Sequence, residues 1–540
     1  MSTRRRDFLK LGGAGAAGSL LVGSTAYGSA TPLAVGNAAR LTAASPHHAT
    51  AGPNFDVRAF GAKGDGQTID TPAINRAIEA AAAAGGGVVQ FPAGSYQCFS
   101  IHVKSNVSLY LGPGATIVAA ETPTSGGGYD PPEPNQWDMY QDFGHSHWHN
   151  SLIWGENISN VSICGLGRIW GKGLSRGSGD KLLAAGVGNK SIALKNCYNI
   201  TLRDFSIFHG GHFGILATGV DNLTIDNLLI DTNRDGMDID CCRNVRISNC
   251  TVNSPWDDGF CLKSSYGLGY ARATENVTIT NCYVTGGYVE GTVLDGTWKK
   301  WPADAQHVWR TGRIKFGTES NGGFRNITIS NCVAEDCCGI ALESVDGAEL
   351  EDVTISNITM RDIVDVPFFL RLGRRMRGPA GVPVGHLRRV LVSNVIVSMA
   401  NARQAAIISG IPGCEIEDVR FRDIQLTVPG GGTAEQAAIN PPEQETDYPE
   451  PSSFGPMPAY GFFIRHVSGI ELCDIEIRAL QADARPAFAL DYVGGADFSR
   501  IKTPLRAGPT WSLTNVSEFG IGQSRPFLDC YFGAVTHKTL

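Results

Sequence analysis

The chain has 540 residues, of which 42% are hydrophobic and only 18% charged, with 66 glycines and a formal net charge of −7. That composition reads as a soluble, turn-rich protein with a large core, and no apolar run long enough to span a bilayer follows the N-terminal region, which argues against an integral membrane protein. The acidic balance speaks against nucleic acid as a partner and leaves any polyanionic ligand to a local basic patch.

The N-terminus reads as an address rather than as fold. Arg5-Arg6-Asp7-Phe8-Leu9-Lys10 has the twin-arginine form, and a Gly/Ala/Leu region with a small-residue exit at Gly28-Ser29-Ala30 follows. Residues 1–30 are therefore expected to be an export signal, with the periplasm or the cell exterior as destination and no stable membrane association after cleavage; an uncleaved, membrane-anchored start is the alternative. Loss of this segment, with its four basic residues and one acid, would take the net charge from −7 to −10. Residues 31–52, rich in Ala, Thr, Ser and His, read as a linker.

From Phe55 the pattern changes. Ile74, Ala77, Ile78 and Ala81 fall at helical spacing, and Gly85-Gly86-Gly87 ends the run, which predicts one short helix over 71–84. A repeat then takes over. Asn followed by alternating apolar residues recurs from Asn160, Asn199, Asn222, Asn244, Asn276 and Asn326, and more weakly from Asp352, at spacings of 39, 23, 22, 32, 50 and 26 residues. Period-two β-branched residues with Gly or Asn at the joints mean short strands and tight turns, and the shorter spacings match one coil of a solenoid. No helix of convincing length interrupts it, so the expected fold is all-β, a single-stranded parallel β-helix with a short N-terminal capping helix, over residues 53–500. Long loops are expected at 286–309 and 430–458, walling a groove or covering a core edge, and a C-terminal cap at 501–540. The repeated asparagines are expected to form ladders at the turns. Of the 14 cysteines, Cys250, Cys282 and Cys332 each follow Asn at one repeat position and read as core fillers, and Cys241-Cys242 and Cys337-Cys338 lack the spacing of a zinc site.

Each coil carries a second strand near a glycine. Aligning His212-Phe213-Gly214, Arg234-Asp235-Gly236, Asp257-Asp258-Gly259 and Cys337-Cys338-Gly339, with Arg310-Thr311-Gly312 as a further member, stacks Asp235 on Asp258 at roughly the 4.8 Å strand spacing. Asp257 is their neighbour. A second column, four residues beyond the glycine, holds Thr218, Asp240, Lys263, Glu343 and Arg465, with Arg371 close by. Carboxylates so close do not all titrate normally, and a protonated acid beside an ionised base is the equipment of glycoside hydrolysis. Two other readings stay open: a calcium-binding lyase centre, and acids that are merely solvated at turns.

The sequence from Phe55 to about Thr503 resembles glycoside hydrolase family 28, the polygalacturonase and rhamnogalacturonase group of right-handed parallel β-helices. FGAKGDGQTIDTPAINRAI, SLIWGENISNVSICGLGRIWGKG, NRDGMD with its Asp238, WDDGFCLKS and GTESNGGFRNITISNC carry the resemblance. It implies that Asp257 is the general acid, that Asp235 and Asp258 activate water with inversion, and that Lys263 binds substrate, without a cofactor or metal. Where the family has Gly-His-Gly this chain has Arg310-Thr311-Gly312, with His307 or His212 as substitutes. The family's Arg-Ile-Lys falls at Ala341-Leu342-Glu343, an acid where a base holds galacturonate, while Arg313-Ile314-Lys315 belongs to the preceding coil. A neutral or mixed pectic sugar is therefore credible, with Arg371, Arg374, Arg375 and Arg465 available for local carboxylate binding. The expected activity is hydrolysis of a pectic or related poly- or oligosaccharide, with exo action suggested by the long loops. The alternatives are a calcium-dependent lyase and a glycan-binding β-helix without turnover.

Overall fold

The computed structural model describes residues 54–122, 127–141, 145–177, 183–401, 405–503 and 508–540; the expected export signal and linker lie outside them. One helix, Thr71–Ala83, buries Ala73, Ile74, Ala77, Ile78 and Ala81 against the first strands, and the chain leaves it through Gly85 and Gly86 at φ of 89° and 135°. Backbone torsions of that kind favour glycine, which is why the helix stops there.

Beyond the helix the chain winds as a parallel β-helix. A typical coil has three strands, Phe213–Thr218, Asp221–Asp226 and Leu229–Asp231, and each pairs in parallel with its counterpart one coil on. Inward side chains stack in files: Ile192, Ile215, Met237, Phe260, Ile314, Ile340 and Phe368 occupy successive coils at one position. The apolar core is continuous along the solenoid, and Cys250, Cys282 and Cys332 lie in it as small hydrophobes. All 14 cysteines are free thiols.

The turns are held by side chains. Asn106, Asn160, Asn199, Asn222, Asn244, Asn276 and Asn326 adopt φ between 56° and 63°, and each after Asn106 donates its amide to the carbonyl oxygen of the asparagine one coil before, at 2.6–3.2 Å. Asparagine is the non-glycine residue that best tolerates this left-handed region and offers both donor and acceptor, so one residue type serves the bend and the stack.

The parallel stack runs further than the expected boundary at 500. Strand Trp511–Gly522 continues it in parallel with Phe488–Ser499, and only the last strand, Cys530–Thr539, reverses direction to close the end. No helix among the described residues is long and apolar enough to cross a membrane.

Asn222→Ala removes two ladder bonds and, with them, the short polar side chain that makes the left-handed region tolerable, so it should lower stability by about 1–3 kcal/mol. Asn222→Gly, which keeps the torsion, should lose less. Guanidinium unfolding of the two variants checks this, and equal losses would mean that the torsion contributes nothing.

Candidate active site

The coil register brings the acids together. Met237 stands beside Phe260 and Asp238 beside Cys261, which sets Asp235 on Asp258 in adjacent coils. One oxygen from each of Asp235, Asp257 and Asp258 falls within 4.8 Å of the others. Asp235 and Asp258 are buried, whereas the Asp257 side chain is 23% exposed and is the member open to the groove.

Each acid has a different electrostatic setting. Arg234 Nη2 lies 2.5 Å from Asp257 Oδ2. Arg313 Nε donates to Asp258 Oδ1 at 2.6 Å, and Lys315 Nζ is 3.6 Å from Asp258 Oδ2. Among the described residues Asp235 has no ion-pair partner. Burial, then the charges of Asp257 and Asp238, push its proton affinity well above the ordinary carboxylate range. Burial also raises Asp257, against the pull of Arg234. At Asp258 burial is outweighed by Arg313, Lys315 and Lys263, which hold it below the usual value. The cluster therefore sets one carboxyl whose proton affinity is lowered beside two whose proton affinity is raised.

The expected register needs two corrections. Gly312 does not align with Gly259: Gly259 N–H donates to Arg313 O at 2.9 Å and Phe260 pairs with Ile314, so Arg313 takes the glycine's place. Between Leu262↔Phe316 and Ser264↔Ser320 the later strand then carries two extra residues. This bulge swings Glu319 back onto Lys263, at 3.0 Å. Arg313-Ile314-Lys315 does lie on the coil before Ala341-Leu342-Glu343, but both of its cations bend onto Asp258.

Several expected substrate contacts serve other purposes. Lys263 is buried between Glu319 and Asp238, at 3.0 and 3.8 Å. Asp238 is fully buried and receives His145 Nε2 at 2.9 Å. Glu343 is fully buried under Lys315, 3.7 Å away, with neither oxygen hydrogen-bonded, and burial pushes its carboxyl to about 7. Arg371 and Arg465 do join the Glu343 file, through Ser409, but both are buried. Arg371 donates to the carbonyls of Glu443 and Gln444, and Arg465 to those of Pro441 and Pro442. They fasten the 430–458 loop rather than await a substrate. Arg310 bonds Asp336 and Pro302 O, fastening the tryptophan-rich loop. Arg374 and Arg375 pair with Glu445 and Asp346.

Both long excursions wall the groove. Glu450 meets Arg313 at 3.1 Å, and Tyr448 accepts from Thr318 at 2.7 Å and covers Lys315. On the other flank Trp256, next to Asp257, donates to His307 O at 2.7 Å and packs on Trp301. Asp231 accepts from Gly291 and Val293 and anchors that loop. The His307 side chain is exposed on it. His212 is buried one coil below Arg234 with Nδ1 unpartnered, and burial with nearby cations keeps it neutral. His145 was not foreseen from the sequence, because it arrives on a loop outside the repeat.

Against known proteins, residues 54–164 match a family described as rhamnogalacturonase A/epimerase, pectate lyase-like, and residues 153–300 match the right-handed β-helix region. A probable polygalacturonase of Vitis vinifera is 24% identical over 328 residues, 56% of this chain and 60% of that protein. Alginate lyase 7 of Azotobacter vinelandii is 44% identical over 73 residues, only 12% of this chain and 8% of that one. The chain thus spans less than two thirds of either relative. The family 28 exopolygalacturonase of Yersinia enterocolitica superposes with a TM-score of 0.58 at 17% identity, covering 84% of this chain and 79% of that one. The fold is a right-handed parallel β-helix, and its N-terminal coils are similar to pectate-lyase-like proteins. What the chain shares with the family 28 exopolygalacturonase is this fold.

Because Glu343 keeps its proton to about 7 in the folded chain and loses it near 4.5 when unfolded, stability should fall as pH rises through that window. Glu343→Gln should flatten the fall. Thermal unfolding at pH 5 and pH 8 reads it, and an undiminished pH dependence would show that Glu343 is not its source.

Proposed function

We propose that this protein is an exported acid–base glycosidase acting on a pectic or related plant polysaccharide or oligosaccharide. The observation that carries the reading is the division of labour within one cluster. Asp258, held low by Arg313 and Lys315, is suited to take a proton from water, while Asp235 and Asp257 both have raised proton affinity and Asp257 is the one exposed to the groove. The twin-arginine form of Arg5-Arg6 supports export, and the likeness to polygalacturonases supports the substrate class.

Inversion is supported by the family resemblance alone. Carboxylate oxygens within 4.8 Å sit closer than the ~6.5–9.5 Å that separates most inverting pairs, and near the ~5–5.5 Å of retaining ones. The bases around the cluster support a neutral or mixed-sugar substrate over uniform polygalacturonate. Arg313 is matched by Asp258 and Glu450, and Lys315 by Asp258 and Glu343, so neither offers an unmatched charge to a uronate. The wall built by Tyr448 and Glu450 at one end of the cluster supports exo action. The calcium-dependent lyase reading is weakened by Arg234, Arg313 and Lys315, which occupy the carboxylates a cation would need.

Asp257→Asn should lower the turnover of pectic oligosaccharides by about 10²–10⁴-fold while the protein stays folded. Proton NMR of fresh product should show the inverted anomer, and a mixed-sugar oligomer should be cut faster than oligogalacturonate. Near-normal turnover by the variant would remove Asp257 from its role; a retained anomer would make one of the other two acids a nucleophile.

A further inference from the structure

Arg176 lies outside the strands, in a turn that follows Arg168–Trp170 and is fastened on both sides. Ser175 N–H donates to Gly188 O at 2.8 Å, and Gly177 N–H donates to Ser175 Oγ at 3.1 Å. Gly177, at φ 75°, packs so close to His212 that a Cβ there would fall 2.2 Å from Nδ1. With its root held, the exposed Arg176 side chain reaches the residues that flank the acids. Its guanidinium lies over the Trp256 ring, 4.7 Å from the centroid, and Nη2 donates to Asn233 O over a long 3.4 Å. Trp256 directly precedes Asp257, and Asn233 directly precedes Arg234, whose own cation is taken by Asp257.

The bases on the acids themselves are matched: Arg234 by Asp257, Lys263 by Glu319, Arg313 by Asp258 and Glu450, and Lys315 by Asp258 and Glu343. Arg176 has no carboxylate at ion-pair distance among the described residues. Glu290, from beyond that distance, and His209 feel its charge: burial raises the Glu290 carboxyl against the pull of Arg176, and burial, then Arg176, lowers His209. A stacked guanidinium spends its flat face on the ring and keeps its N–H donors at the edge, in the plane that matches a carboxylate. The Trp256 ring is itself fixed, since it donates to His307 O at 2.7 Å and packs on Trp301 with centroids 5.7 Å apart.

We propose that Arg176, held flat by Trp256, is the carboxylate-recognising residue of this site and takes one uronate of the substrate beside Asp257. This rests on the glycosidase reading above and narrows its substrate class. With the bases on the acids matched and one stacked guanidinium open at their edge, the site fits a glycan in which a uronate alternates with neutral sugars, rather than a run of uronates.

The test compares kcat/KM of wild type, Arg176→Gln and Arg176→Lys on two substrates: a pectic oligosaccharide of alternating uronate and neutral sugar, and the same oligosaccharide with its uronates reduced to neutral hexoses. Wild type should favour the acidic form by about 10-fold, with the preference residing in KM. Arg176→Gln should erase that preference, and Arg176→Lys, which keeps the charge but not the fork, should retain part of it. A preference that survives in Arg176→Gln, or a wild type without one, would overturn the proposal. So would an equal loss on both forms, which would make Arg176 a support for Trp256 alone. If wild type turns over no pectic substrate, the glycosidase reading fails, and calorimetric binding of the two oligosaccharides to wild type and Arg176→Gln still decides whether Arg176 takes a uronate.

Discussion

Everything in this molecule depends on coil register. In a parallel solenoid each side chain lies over its counterpart one coil earlier, and a slip of one residue would turn every inward chain outward. The asparagine ladder works against such a slip, because Asn222 fits its left-handed turn and bonds both Asn199 and Asn244 only in one alignment. Asp235 and Asp258, far apart along the chain, become neighbours for the same reason that Met237 and Phe260 do. The proximity of the acids comes from the core.

Stacking like charges raises a second problem, which the chain solves by interleaving bases. Arg234 arrives on the strand entry beside Asp235, and Arg313 and Lys315 arrive from the next coil. Their placement is uneven, and the unevenness is what makes chemistry available. Asp235, buried, without an ion-pair partner among the described residues and pressed by Asp257 and Asp238, has its proton affinity raised, while Asp258, paired with Arg313 and Lys315, has its lowered. Lys263, Glu319, Asp238 and His145 form a buried layer beneath. The same pairing uses up the cations that a uniform polyuronate would need.

Much of this was legible in the sequence, wherever periodicity carried it. The helix follows from its own apolar spacing, and the coils, the asparagine ladder, the stacked acids and the file from Thr218 to Arg465 follow from a repeat that shows itself in residue types. What escaped lies where the repeat breaks. The two extra residues between Phe316 and Ser320 change no composition, yet they swing Glu319 onto Lys263. His145 sits in a segment that repeats nothing. Arg371 and Arg465 were correctly filed on one face, but that the 430–458 loop would fold back over them is a long-range contact no local pattern records.

The most direct test is the chemistry of the product. On digestion of a pectic oligosaccharide with and without chelator, each bond broken should yield one new reducing end and no ultraviolet-absorbing unsaturated sugar in either case. An unsaturated product whose formation the chelator abolishes would contradict hydrolysis by Asp257 and Asp258 and make the cluster a metal-dependent lyase centre.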